Sequence, residues 1–536
     1  MFTRRRFLTS SSLAAAAVTG FPHVGRSATE LQARSGQKPR HIIHLVADGM
    51  SAGTFTCADH LSRFVRSRGT SWIQLCRQEG VHSGWMNMRS LNSLVTDSSA
   101  AASSWGCGVR IINGMTNQSG NGTPLKTLYE LFADVGWIRA LVTTTEITHA
   151  TPSGFAASVR SRDHGSKIAA QYLEREVDLL LGGGRKFFEP AYRLDKRNLR
   201  QDFVAAGYHV MDTLSDLEKA PLRGRWLGTF ASSHLPFTLD QKQDRALQAK
   251  VPTLARMTQA ALSRLENEPH FIMQVEGGRV DHGCHNCDAA AALYDQVAFD
   301  EALEVCLNFQ KKVPDTLLVI TTDHGNSNLG LNGMGSEYGQ STWLFYNLEK
   351  VRRSFPEMLK PLKRQLLHPP FEPEKDEEAD KAREAKKTKE QKDADKAKKK
   401  KEEQDVAEVP EIIEIIEAGT GYRLSTKKAE LLRPYLMKTG SALYDLMNSD
   451  VCALGQVMGN HLGIGFTGNA HTADFVPVTA VGPGAERFRG FIQNIDVFNH
   501  YTDFAGITFR NPQEPLIGQV GPDAGQVEDV EAYQLA

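Results

Sequence analysis

The chain has 536 residues, a formal net charge of -1 and 41% hydrophobic residues. That length buries a large core and exceeds one average domain, so either several domains or one domain with insertions is expected. A balance this close to neutral gives no electrostatic ground for binding nucleic acid or an anionic membrane surface, and no apolar run is long enough to span a bilayer.

The N-terminus stands apart. Thr3-Arg4-Arg5-Arg6-Phe7-Leu8 precedes the weakly apolar Leu13-Ala14-Ala15-Ala16-Ala17-Val18. Paired arginines, then Phe-Leu, then a mild hydrophobic stretch read as a twin-arginine export signal. Residues 1–38 are therefore expected to be signal and linker, with cleavage near Ala28 and the mature protein in the periplasm or secreted. A route that exports folded proteins suits a chain that carries cofactors.

Residues 42–47, Ile-Ile-His-Leu-Val-Ala, then predict a buried strand that ends at Asp48-Gly49-Met50. Small residues from Ser98 to Trp105 predict a helix opening behind Asp97. Thr123-Pro124-Leu125 reads as the cap and first turn of another helix, with apolar spacing at Leu125, Leu128 and Phe132. Residues 140–144 predict a strand running into His149-Ala150-Thr151-Pro152, and residues 177–181 a strand closed by Gly182-Gly183-Gly184. Residues 271–275 predict a strand that delivers Glu276 and a polar loop carrying Asp281, His282 and His285. Residues 289–312 have helical apolar spacing, and residues 316–322 predict a strand ending at Asp323-His324. A last strand at 476–481 follows a Gly-rich loop with His471-Thr472. Short buried strands alternating with amphipathic helices predict an α/β fold: a central, mostly parallel sheet with helices on both faces.

Residues 372–405 are almost all Lys, Glu, Asp and Ala, with the two signs nearly cancelling. Such a segment is too polar to pack and reads as a solvated insert. The expected organisation is a catalytic domain over 39–335 and 455–515, an insert or surface subdomain over 336–454 that contains the charged segment, and a tail over 516–536. The seven cysteines are no disulfide framework. Cys284 and Cys287 form an isolated C-x-x-C, read as two structural thiols or a local disulfide.

Strand ends are where α/β sheets place chemistry. Here they deliver Asp48, His149 with Thr151, Glu276 with Asp281 and His285, and Asp323-His324, while His471 precedes a strand. Several carboxylates and imidazoles converging on one edge need positive charge, and the set is too large for one tetrahedral ion. Two or three divalent ions fit better, two of them spaced to clamp an in-line displacement at phosphorus. Ser98, at a helix start, is the candidate nucleophile; on residues alone the plainer reading is a helix cap, after Asp97 or in its stead. Arg162, thirteen positions after His149, is placed to grip two phosphate oxygens, with a surface arginine as the other reading.

Taken in order, these residues resemble the alkaline phosphatase family. The pieces that carry the resemblance are Asp48-Gly49-Met50, Val95-Thr96-Asp97-Ser98-Ser99-Ala100-Ala101 with Trp105, His149-Ala150-Thr151-Pro152 with Arg162, Val275-Glu276-Gly277 with Asp281 and His285, Thr322-Asp323-His324-Gly325, and His471-Thr472. The resemblance implies two zinc ions and one magnesium ion. One zinc would be held by Asp281, His285 and His471 and would activate the attacking water. The other would be held by Asp48, Asp323 and His324 and would hold Ser98 as alkoxide. Magnesium would sit among Asp48, Thr151 and Glu276, with Arg162 on the phosphate oxygens. The implied reaction is hydrolysis of small-molecule phosphate monoesters through a phosphoserine at Ser98. His149 and His282 stand near the third ion and the phosphate, where some family members carry Asp and Lys. A homodimer is compatible with the sequence but not specified by it.

Related metal enzymes define the alternatives. A sulfatase needs a C/S-x-P-x-R context, which is absent. A phosphodiesterase of the same superfamily is expected to carry threonine as nucleophile and to lack the Arg162 contact, and a phosphoglycerate mutase is expected to stay in the cytosol. An exported, non-catalytic metal- or phosphate-binding protein would keep the ligands without needing Ser98 and Arg162 together.

Overall fold

The computed structural model describes residues 38–363 and 407–517. The expected export signal, the charged segment 372–405 and nearly all of the tail lie outside those residues. The strands are β1 His41–Val46, β2 Val81–Asn87, β3 Ile138–Glu146, β4 Leu179–Gly183, β5 Tyr208–Met211, β6 Arg225–Thr229, β7 Phe271–Glu276, β8 Thr316–Thr321, β9 Gly325–Asn326, β10 Gly330–Leu331, β11 Ile464–Gly465, β12 His471–Thr472, β13 Val476–Val481 and β14 Gly490–Gln493. Ten of them form one sheet in the order β14-β2-β13-β8-β1-β7-β3-β4-β6-β5, and the short β9/β12 and β10/β11 pairs stand apart from it.

The middle of the sheet follows from composition. β1, β7 and β8 are buried along their whole length, as continuous apolar runs covered on both faces should be. Their registers align Val46 with Glu276 on one side and with Thr321 on the other. Asp48, Glu276 and Asp323 therefore leave the sheet at one level. The outer strands were not anticipated. β2 is half exposed and carries Ser83, Gly84 and Asn87, so it lacks an apolar run to recognise.

One direction departs from the expectation. The strand that follows His471 runs antiparallel to both β8 and β2, with Val478 opposite Thr321. A residue that precedes a parallel strand would lie at the opposite edge from Asp323. Reversal of β13 is what brings His471 to the same edge.

Two helices set the nucleophile's position: α2 Ser98–Cys107 and α4 Ala150–Ala156, which follow α1 Ala52–Arg66 and α3 Leu128–Asp134 in the order used here. A Cβ at Gly106 would lie 1.7 Å from the carbonyl oxygen of Gly154, so α2 and α4 touch backbone to backbone at that point. Trp105 and Phe155 close the contact within the main core. The helix expected from Thr123 starts later. Thr127 caps α3 with a capping box to Glu130, while Pro124 pairs with Gln118 in an isolated bridge. A Thr-x-x-Glu box satisfies two backbone donors that Thr-Pro leaves open.

The expected loop after β7 is instead a helix, α5 Arg279–His285. It is followed by α6 Ala289–Lys312, at the bounds read from sequence. Helices α7 Phe355–Leu362, α8 Val409–Thr420, α9 Thr426–Leu436 and α10 Asp450–Leu462 come from the segment read as an insert. They share a single apolar core with Leu61 of α1, Cys284 of α5 and Leu293 of α6.

Candidate active site

Each acidic side chain at the carboxyl edge anchors itself differently. Asp323 turns Oδ1 to the backbone N–H groups of Gly49, at 3.1 Å, and His324, at 3.0 Å. Asp281 accepts at Oδ1 from Asn326 Nδ2 at 2.6 Å. Glu276 accepts at Oε2 from the hydroxyls of Thr143 and Thr145. The second oxygens of Asp323 and Glu276, and both oxygens of Asp48, are buried and lack a hydrogen-bond partner. All four carboxylates are nearly inaccessible, from 0% to 3% exposed.

The histidines show the same economy. Nδ1 of His285 lies 2.6 Å from the carbonyl oxygen of Asn469, Nδ1 of His471 lies 2.9 Å from that of Thr96, and Nδ1 of His324 lies 3.2 Å from that of Gly325. A carbonyl only accepts, so each Nδ1 carries the proton and each Nε2 presents a lone pair. Nε2 of His285 and Nε2 of His471 then face each other 3.1 Å apart. Two facing lone pairs repel unless a cation or proton lies between them. Ser98 Oγ lies 3.1 Å from His324 Nε2, so the serine hydroxyl is the donor in that contact.

These donors fall into three groups whose ligand atoms all lie within 4.8 Å of one another: Asp281, His285 and His471; Asp48, Asp323 and His324; and Asp48, His149 and Glu276. Helical geometry makes the first group, because Asp281 and His285 are four apart on one face of α5. His285 Nε2 lies 3.2 Å from Asp281 Oδ2. Gly49 lets the second and first groups touch. Its φ is +69°, and a Cβ there would lie 2.4 Å from Asp281 Oδ1. Thr151, whose buried Oγ1 has no partner, lies on α4 beside the third group.

Like charge at this spacing is expensive. Two carboxylates 4 Å apart repel by about 4 kcal/mol at an effective dielectric near 20, and several such pairs rival the ~5–15 kcal/mol that holds a whole domain together. Burial, then Asp323, Asp281 and Glu276, push the Asp48 carboxyl well above the usual range. Burial also acts on Asp281, but His285, His471 and His324 outweigh it and hold that carboxyl well below its ordinary value. Burial and neighbouring His324 drive His471 down to about 3. Burial lowers His285 and His324 too, but Asp281 and Asp323 in turn outweigh it and raise those imidazoles. The chain thus gathers unpartnered oxygens and imidazole nitrogens where protons now offset the buried charge, a donor set suited to divalent ions of the zinc and magnesium kind.

Arg162 closes the open side. Its Nη1 donates to Asp97 Oδ2 at 3.1 Å, and its Nη2 lies 3.3 Å from His149 Nε2. Asp97 also caps α2 through Ala100 N–H at 2.8 Å, so one carboxylate positions both the candidate nucleophile's helix and the guanidinium. Burial opposes the Arg162 charge, but Asp97 outweighs it and raises the guanidinium pKa.

The alkaline phosphatase family profile matches residues 39–410. The chain belongs to the alkaline phosphatase family. Alkaline phosphatase 3 of Bacillus subtilis is 29% identical over 412 residues, spanning 75% of each chain. Alkaline phosphatase H of Pseudomonas aeruginosa is 30% identical, over 55% of this chain and 71% of its own. The crystal structure of Thermus thermophilus alkaline phosphatase superposes with a TM-score of 0.77 at 30% identity, covering 93% of this chain and 98% of that one.

Against that family fold, the geometry brings together Asp48, Ser98, His149, Thr151, Arg162, Glu276, Asp281, His285, Asp323, His324 and His471. His282 is set back. Its Nδ1 lies 2.7 Å from Arg279 Nη1, and its ring packs against His149 and His234 at 5.6 and 4.5 Å. Burial, then Arg279 and His149, hold His282 well below the usual imidazole pKa. Sequence reading missed Asp97 as the anchor of Arg162, Thr143 and Thr145 as supports of Glu276, and Asn326 as the support of Asp281. Thr143 and Thr145 had a signal, since a run of three threonines and Glu146 closes a buried strand at its carboxyl end. Asn326 had none, because its role depends on the β9/β12 pairing of Asn326 with His471.

Proposed function

We propose that the chain hydrolyses phosphate monoesters through a phosphoserine at Ser98, with two zinc ions and one magnesium ion as resident cofactors. The observation that carries this reading is the contact of Ser98 Oγ with His324 Nε2, 3.1 Å apart at the start of α2 and beside unpartnered carboxylate oxygens. Asp281, His285 and His471 would hold one zinc, and Asp48, Asp323 and His324 the other. Asp48, Thr151 and Glu276 would hold magnesium, with His149 close enough to join them. When bound, these ions neutralise the buried carboxylates, lower the pKa of a nearby hydroxyl or water, and draw charge from the phosphoryl oxygens.

The chain's own residues do the rest. Arg162, fixed by Asp97, donates to two non-bridging oxygens and sets the phosphorus in front of Ser98. Ser98 Oγ releases its proton to solvent and forms a bond to phosphorus as the bond to the leaving oxygen breaks, and that oxygen takes up a proton from solvent to depart as the alcohol. The N-terminal end of α2 favours the negative charge that gathers there. Water then attacks the phosphoserine from the side vacated by the alcohol, returning Ser98 and releasing inorganic phosphate. His149 lies beside Arg162 at the phosphate side, and His282, kept neutral by burial and Arg279, packs behind it without adding charge. The same reading includes export by the twin-arginine route and a division into catalytic residues 39–335 and 455–515 with an insert over 336–454.

The test is hydrolysis of 4-nitrophenyl phosphate with and without chelator, coupled to metal analysis. Chelator-sensitive turnover, about two zinc and one magnesium per chain, and a phosphorylated Ser98 peptide are expected. Bound metal with no turnover would leave a binding protein, and full activity in Ser98→Ala would remove the phosphoserine.

A further inference from the structure

The C-x-x-C of the sequence does not pair with itself. Cys284 turns into the core, with its sulfur 3.9 Å from Thr54 Oγ1. Cys287 turns the other way, and its Sγ lies 3.2 Å from Sγ of Cys452, 165 residues further along the chain. Both thiols are buried, at 1% and 0% exposure. The remaining cysteines show no such approach. Cys107, for example, donates to the carbonyl of Val109, and Cys76 lies beside Thr479.

The local backbone is built around this contact. Cys287 has φ +49°, a left-handed conformation unusual for a residue with a side chain. α10 approaches so closely that a Cβ on Gly455 would lie 2.7 Å from Cys287 Cβ. Cys452 sits in the first turn of α10, opposite the end of α5. A third segment joins them. Cys287 Sγ donates to the Gly468 carbonyl at 3.4 Å, and His285 Nδ1 donates to the next carbonyl, Asn469, at 2.6 Å. Thus the end of α5, the start of α10 and the stretch leading into His471 meet at this sulfur pair.

We propose that Cys287 and Cys452 form a disulfide that clamps the return segment carrying His471 against the helix carrying Asp281 and His285. Closing to the ~2.05 Å of an S–S bond asks the sulfurs to approach by roughly 1 Å. The reaction is exchange with a small disulfide such as oxidised glutathione. One cysteine thiolate attacks it and releases one thiol. The other cysteine then attacks the mixed disulfide, forms the Cys287–Cys452 bond and releases the second thiol. Two protein S–H bonds and one reagent S–S bond are replaced by one protein S–S bond and two reagent S–H bonds. Burial of both sulfurs confines the exchange to the folding chain or to moments when α10 lifts from α5.

The crosslink itself stands apart from the phosphatase reading; its effect on ion retention rests on that reading. The test uses the full-length protein refolded with oxidised glutathione, denatured without reductant and alkylated. Five of the seven thiols should react, the two joined ones being protected, and digestion should release one linked pair containing Cys287 and Cys452. Reaction of all seven, or a link to Cys284, overturns the proposal. A loop this long predicts a fall in Tm of about 5 °C on reduction. Cys452→Ser and Cys287→Ala should each abolish that response; an equal response in either variant overturns the clamp. Thiol counts and melting involve neither turnover nor ions, so they fail or hold independently of the proposed activity.

Discussion

The two ligand groups on either side of Asp281 and Asp48 are built in different ways. Asp48, Asp323 and His324 come from the ends of adjacent strands β1 and β8, and their side chains are 0–1% exposed. Asp281, His285 and His471 come from a helix of seven residues and a two-residue strand. Two of these ligands are more open, with His285 28% and His471 13% exposed at the side chain. The deep group is fixed by ladder register. The open group depends on a long excursion of the chain returning to one place, held there by the β9/β12 pair and the contacts around Cys287. Part of the site is thus as rigid as the sheet, and part is as stable as a tertiary closure.

The largest expected effect falls on the deep side. Ser98→Ala should lower kcat on the order of 10⁴-fold while leaving metal content and Tm unchanged; stopped-flow and metal analysis check both. His324→Ala and His471→Ala test the contrast itself. His324→Ala should abolish activity and destabilise the core. His471→Ala should lower activity by roughly 10²–10³-fold with little change in Tm, and chelator should strip its remaining ions in one phase rather than two. Equal effects of the two variants on melting would erase the distinction. Arg162→Ala should cost about 10²-fold in kcat/KM for monoesters, and Arg162→Lys should recover only part of that loss, because it restores the charge and not the bidentate grip. Thr143→Val, which removes one of the two hydroxyls donating to Glu276 Oε2, should cost about 1–2 kcal/mol in stability or a roughly tenfold loss in magnesium retention.

The smallest effect is a pH slope. Asp48 is raised above 3.8 by burial and its acidic neighbours, and Asp288 and Asp295 are raised to about 7, chiefly by burial. A carboxyl with a raised folded pKa stabilises the fold only while protonated, so its contribution is lost as pH climbs from 3.8 through the folded value. Asp281 and Asp323, held low, act in the opposite sense only as pH falls below that point. Buried His41, His44 and His471, lowered to about 4, 3 and 3, gain stability as pH rises to the ordinary imidazole value and oppose this slope. Chelated protein should therefore lose Tm only above about pH 6.5, where the raised carboxyls still titrate. Metal-loaded protein should lose less, because ions replace the protons at Asp48; parallel slopes in calorimetry would count against ion binding there.

Most of the donor cluster was legible because its residues are short-range events. Asp48, Glu276 and Asp323 each follow an apolar run that can only be a buried strand, so their edge was set by local pattern. Ser98 after Asp97 was legible as a helix start for the same reason. What could not be read was anything that depends on direction or return. The reversal of β13, which brings His471 to the correct edge, has no signature in Val476–Val481 itself, since an apolar strand reads alike in either direction. The turn of helix at α5 was hidden by Gly277 and Gly278, which argue for a loop, until packing of Val280 and Cys284 into the core repaid the glycines. The pairing of Cys287 with Cys452 was equally unreadable, because local spacing favoured Cys284. The sequence by itself determined which residues could bear charge and bind metal. Tertiary structure decided which of them meet, because burying like charges together is tolerable only where the fold fixes every ligand's second hydrogen bond.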